Sequence, residues 1–151
     1  MKYINATMLF VGLVFASALA HAAGTVHVRD AWIPEAPPVA DVLAAYFEID
    51  NTGSKPVTIT GFSCKDFDGV MMHKTIEKDG MSQMIHMDKL TVAAKSKLKF
   101  ERGGLHLMLM QPKHSLKAGD KVALTMHTAD KHTIHFTAIV KPASLGDDAQ
   151  H

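Results

Sequence analysis

The sequence predicts an all-β domain built as a two-sheet sandwich, on three observations. Short runs of β-branched and aromatic residues recur along the chain. Gly, Pro, Asn and Asp combinations that suit tight turns punctuate them. No stretch holds apolar residues at helical spacing for more than a turn or two. A lone antiparallel sheet would leave one apolar face in water, so strands this numerous are expected to pack in two layers, with an open barrel as the other way to close them.

The first strand is expected over Val26–Trp32 and stops before Pro34-Glu35-Ala36-Pro37-Pro38, whose prolines fix φ and lack the amide a ladder needs. Ala44–Asn51 follows and turns at Asn51-Thr52-Gly53-Ser54, and Val57–Ser63 opens on three β-branched residues. Val70–Glu77 and Met81–Met87 flank Lys78-Asp79-Gly80, a hairpin signal, because Asp-Gly suits a type I′ turn. Leu98–Arg102 and Leu105–Gln111 are separated by Gly103-Gly104, while Val122–Thr128 follows the turn Lys117-Ala118-Gly119-Asp120 and leads to Thr133–Val140. The expected core is Tyr46, Ile49, Val57, Ile59, Leu98, Phe100, Leu124, Ile134 and Phe136.

Ahead of these strands, Met1 to Asn5 carries one positive charge, an apolar run follows from Met8 to Leu19, and Ala20-His21-Ala22 closes it. That is the layout of a cleavable secretory signal, and the run is shorter than the ~20 apolar residues a spanning helix needs. We therefore expect a signal peptide over residues 1–22 and export to the periplasm. A single domain over 23–141 and a flexible polar tail over 142–151 should follow.

The whole chain holds 16 Lys and Arg against 15 Asp and Glu, and Lys2 falls in the leader, so the remainder is balanced. Such a balance offers no basic stripe for nucleic acid or an anionic membrane. The one cysteine, Cys64, allows no internal disulfide and is expected to be a buried, unreactive thiol. More unusual are 10 Met and 10 His in 151 residues. Thioether and imidazole are both metal ligands, and their joint excess suggests a soft ion.

Their placement sharpens that suggestion. If Asp79-Gly80 forms a two-residue loop, Lys78 opposes Met81, Thr75 opposes Met84 and His73 opposes His86. His73 and Met84 then share a face as diagonal neighbours. In Leu105-His106-Leu107-Met108-Leu109-Met110, strand alternation puts His106, Met108 and Met110 on one face and the leucines on the other, toward the core. His73, Met84, His106 and Met108 thus form a soft, neutral set suited to copper(I), whereas zinc favours thiolates or carboxylates beside its histidines. Thioethers cannot pair as disulfides in an oxidising compartment. No G-x-S-x-G nucleophile motif occurs, and such a site lacks the bound hydroxide that hydrolysis uses, so no enzyme is expected.

The spacing His73-x10-Met84-x21-His106-x-Met108 matches the signature of PCuAC-type periplasmic copper chaperones. The chain resembles that family over about Val26 to Val140, also in Asp30-Ala31-Trp32 with Pro37-Pro38, in Ala44-Ala45-Tyr46 leading to Asn51-Thr52-Gly53, and in Leu116-Lys117-Ala118-Gly119-Asp120. The resemblance implies a cupredoxin-like sandwich that holds one copper(I) ion. It also implies a chaperone, expected as a monomer, that delivers copper to a respiratory oxidase subunit, its CuA centre in particular, or to the assembly factors of that oxidase. Some members carry a His- and Met-rich carboxy-terminal extension for a second, copper(II) ion, whereas the tail here offers only His151.

Two other functions are weighed against this one. A blue-copper electron carrier needs a cysteine thiolate beside its histidines, and Cys64 lies nine residues before His73 with no cysteine near Met108. A sandwich that only binds other proteins would use the four residues for packing alone.

Overall fold

The computed structural model describes residues 25–146. The expected signal peptide, the start at Ala23 and His151 lie outside the described residues. Ten strands form among the described residues: β1 (Val26–Pro34), β2 (Val42–Asn51), β3 (Val57–Ser63), β4 (Phe67–Lys78), β5 (Met81–His86), β6 (Leu90–Val92), β7 (Ser96–Phe100), β8 (Leu105–Pro112), β9 (Lys121–Thr128) and β10 (Thr133–Lys141). A single 3-10 turn follows at Ala143–Gly146, within the segment expected to be a loose tail. No helix of the described residues is long and apolar enough to cross a membrane.

Hydrogen bonding runs through all ten strands in the order β5-β4-β8-β7-β2-β1-β10-β9-β3-β6, and β8 also pairs with β2. The expected two layers are present, yet they belong to one continuous sheet folded over on itself. The phenylalanines prove the fold-over. Four strands separate β7 from β3 in the sheet order, but the rings of Phe100 and Phe62 meet edge to face at 6.0 Å. Phe47 of β2 stacks on Phe100 at 4.3 Å and touches Phe62 and Phe136 at 5.6 and 5.3 Å. One layer is β5, β4, β8, β7 and β2; the other is β10, β9, β3 and β6.

β1 joins them. Its residues Val26 to Arg29 pair antiparallel with β2, Trp32 pairs both with Tyr46 of β2 and with Ile139 of β10, and Ile33 and Pro34 continue parallel to β10. The register shifts between Arg29 and Trp32, where Asp30 takes a φ of 53°. A bulge at that point bends the strand and turns it from one layer toward the other.

The core between the layers is apolar on both sides. β2 supplies Leu43, Ala45, Phe47 and Ile49; β8 supplies Leu107 and Leu109; and β9 supplies Val122, Leu124 and Met126, all buried. Of the expected core, Ile49, Ile59, Phe100 and Leu124 are buried, Leu98, Ile134 and Phe136 pack against its margin, and Val57 is half-buried. Tyr46 is a correction. Alternation along β2 buries the odd-numbered residues from Leu43 to Asn51, so Tyr46 projects from the outer face, where its ring lies 5.1 Å from that of Trp32. Asn51 is the one fully buried amide among them, its Nδ2 shared among the carbonyls of Lys55, Val92 and Ala93 at 2.8–3.2 Å. Those bonds satisfy a polar group that burial would otherwise penalise, and they pin β2 to the end of β6.

β6 was not expected from the sequence: at three residues, Leu90 to Val92, it is too short to show a period. The other strands lie where expected, within three residues at each end.

Candidate metal centre

The hairpin β4–β5 forms as its turn residues require. Asp79 and Gly80 both take positive φ, 54° and 73°, as a type I′ turn demands. The register follows: Lys78 opposes Met81, Thr75 opposes Met84, and His73 opposes His86. On the other side of β4, β8 places Met108 opposite Met71, Leu107 opposite Met72, and His106 opposite His73.

Cross-strand partners project to the same side of a sheet, and so do residues two apart on one strand. His73, Met84, His86, His106 and Met108 therefore share one face, with Met71 and Met110 farther along it. Met72, Leu107 and Leu109 point the other way, into the core. The four expected donors stand on the outer face of one layer, Met84 on its edge strand β5 and the others on the next two strands, β4 and β8.

The strands do not place them equally. The ring of His73 lies 6.0 Å from that of His106, and Met108 is one pair farther along β8, diagonal to His73. His106 is 8% exposed and Met108 half-buried. Met84, by contrast, sits on β5 level with Thr75, on the opposite side of His73, and is 66% exposed. The geometry brings together His73, His106 and Met108 most closely, and leaves Met84 as a long, free side chain at the rim.

Ring nitrogens are oriented for donation. A carbonyl can only accept, so the contact of His106 Nδ1 with the Gly104 oxygen at 3.1 Å puts the proton on Nδ1 and leaves the Nε2 lone pair for a metal. Nδ1 of His73 is buried without a hydrogen-bond partner. Such a nitrogen costs free energy unless something accepts its lone pair or proton, and a soft cation would. No three His, Cys, Asp or Glu side chains among the described residues are grouped to hold a metal ion. The other soft donors on this face are thioethers.

Burial holds the pKa of His73 below the usual histidine value, and the neighbouring His106 and His86 lower it further. The sign of the consequence follows from proton counting. An unfolded histidine takes up a proton near pH 6.5, while folded His73 resists it. Its contribution to apo stability is then fully present above that pH and is lost as pH falls through the depressed folded pKa. We expect the apo protein to be less stable at pH 5.5 than at 7.5 in urea titrations, and His73→Gln to narrow that difference. An unchanged difference would remove His73 as its source.

Other polar groups are accounted for locally. His127 meets Ser63 Oγ at 2.7 Å, His135 meets Thr125 Oγ1 at 2.9 Å, and His132 meets Asp130 at 2.9 Å. Cys64, just past β3, is half-buried and its thiol donates to the Ala123 carbonyl at 3.2 Å. Burial raises its pKa, so it remains a thiol, as expected of an unreactive cysteine. His86 stands opposite His73, as the hairpin register expected, close enough to approach the site although no motif marks it as a ligand.

Residues 26–140 match the LpqE-like family model, described as "Putative lipoprotein LpqE-like". A protein of Leifsonia xyli subsp. xyli (strain CTCB07) named "Putative lipoprotein Lxx21020" is 31% identical over 120 residues, which are 79% of this chain and 71% of that one. Among solved structures, CuI-DR1885 from Deinococcus radiodurans is similar at 31% identity and a TM-score of 0.64, covering 82% of this chain and 83% of the other. The copper-bound PCuAC domain from PmoF2 shares the fold at 17% identity and a TM-score of 0.67, covering 81% and 97%. The all-β, cupredoxin-like architecture is thus common to this chain and those domains.

Proposed function

The chain belongs to the LpqE-like family, and on that premise we propose that it is an exported copper chaperone which binds one copper(I) ion through His73, Met84, His106 and Met108. The observation that carries this reading is the register of β4 with its two neighbours, which sets two imidazoles and two thioethers on one face around a buried, unpartnered ring nitrogen. The copper(I) form of the 31% identical DR1885 supports it independently. Neutral soft donors stabilise copper(I) without adding charge, and they leave no thiolate to be oxidised.

Cargo transport, not catalysis, suits this arrangement. One donor is exposed at the sheet edge where a recipient can reach it, and His106 is held in place by its backbone contact. The proposed recipient is a respiratory oxidase subunit, in particular its CuA centre, or the assembly factors that serve it. Export to the periplasm through the segment 1–22 agrees with the lipoprotein naming of the relatives. Cys64 lies inside the folded domain. Its thiol bonds to β9 in the far layer, which disfavours a blue-copper site because that chemistry needs a thiolate on the metal.

Competition titration against a copper(I)-specific chelator under reducing conditions tests the proposal. One copper(I) per chain is expected, with zinc unable to displace it at comparable concentration. A stoichiometry well below one, or ready displacement by zinc, would overturn it.

A further inference from the structure

One imidazole on this face has no role in the proposed four-ligand site. His86 is the cross-strand partner of His73, and its ring stands edge-on to that of His73 at 5.5 Å, nearer than the His106 ring at 6.0 Å. The register explains the difference. Met87 N–H donates to the Met72 carbonyl at 2.9 Å, which makes His73 and His86 a non-hydrogen-bonded pair, the kind whose side chains lie closer together. Imidazoles that bind one ion through nitrogens at about 2 Å have ring centres no more than roughly 6 Å apart. His73 can therefore share an ion with His106 on one side or with His86 on the other.

It is not built to share with both. β5 and β8 flank β4, so His86 and His106 are two strand spacings apart, roughly 10 Å at the backbone. The two flanking rings also differ in setting. His106 is nearly buried and bonded to backbone. The His86 side chain is 51% exposed on an edge strand, with Nε2 3.2 Å from the Asp88 carboxylate. A carboxylate on the far nitrogen favours the proton there and turns the other nitrogen, Nδ1, into the better donor. Met84, two residues away on the same strand and face, is equally accessible.

We propose, resting on the copper(I) reading above, that His86 is a transfer ligand. The ion leaves its resident site by exchanging His106 and Met108 for His86 while His73 and Met84 hold on, and is then presented at the β5 edge. In that step a copper bond to His86 Nδ1 forms as the bonds to His106 Nε2 and Met108 sulfur break. Copper stays copper(I), no electron moves, and the proton stays on His86 Nε2, donated to the Asp88 carboxylate. The outward path thus runs across the sheet from β8 through β4 to β5.

The test separates equilibrium from rate. Copper(I)-loaded wild type, His86→Ala and Asp88→Asn are each titrated with a copper(I)-specific chelator for affinity. Stopped-flow mixing with excess chelator then measures release, beside melting curves of the apo proteins. His86→Ala should change the affinity no more than about threefold yet slow release by about tenfold or more, and Asp88→Asn, which keeps the ring, should fall between. Release at the wild-type rate in His86→Ala overturns the proposal. So does a loss of affinity matching that of His106→Ala, which would make His86 a resident ligand. Failure of the underlying reading shows elsewhere, as wild-type protein that takes up no stoichiometric copper(I).

Discussion

Replacing His73 and His106 together by alanine is expected to lower copper(I) affinity by well over the roughly 10–100-fold that losing an outer hydrogen-bond partner costs a metal site. The two rings lie 6.0 Å apart and carry the only titratable donors of the proposed set, so the same change should also remove most of the acid sensitivity of binding. Protons compete with copper for imidazole nitrogen but not for thioether sulfur near neutral pH. Met108→Ala should accordingly weaken binding while leaving its decline in acid in place. Chelator competition between pH 5 and 8 measures both effects. Native affinity in the double variant, or a pH-independent Met108→Ala, would refute the ligand assignment.

The largest loss of stability is expected from Phe47→Ala. Phe47 is 3% exposed and meets three other phenylalanine rings drawn from both layers. Truncation leaves a cavity at the point where the folded-over sheet closes on itself, and buried Phe→Ala changes cost about 3–5 kcal/mol. Against a typical domain stability of about 5–15 kcal/mol, the variant should unfold at markedly lower urea concentration, with the metal-site variants much less affected. A shift below about 1 kcal/mol would mean that the ring cluster does not hold the layers together.

Those two expectations draw on different parts of what the sequence made legible. The shared face of His73, Met84, His106 and Met108 was readable because it rests on local rules: Asp79-Gly80 dictates a turn, the turn dictates the register of His73 against His86, and alternation in β8 separates histidine and methionine from leucine. The pairing of β4 with β8 was not readable, because it joins residues 31 to 45 positions apart and is decided by packing of Met72, Leu107 and Leu109 into the core. Nor could the continuity of the sheet be read. It depends on β1 bridging β2 and β10 past the bulge at Asp30, and a bulge has no hydrophobic period to reveal it. Tyr46 was misplaced for a related reason: an aromatic residue in a strand suits either face, and only the buried set on the odd-numbered positions of β2 shows which one is inside.

The donors stand outside the sandwich while every close contact among the phenylalanines lies within it. Architecture and cargo are thereby independent. A carrier whose core required its ion would come apart at each delivery and have to refold before the next round. On the proposed reading the emptied protein is expected to keep its shape, and loading to raise the melting temperature only as any ligand selective for the native state does, in proportion to the logarithm of free copper(I) over its dissociation constant. The same separation would let the proposed ligand face accept substitutions that retune its grip on the ion without a matching repair in the packed interior.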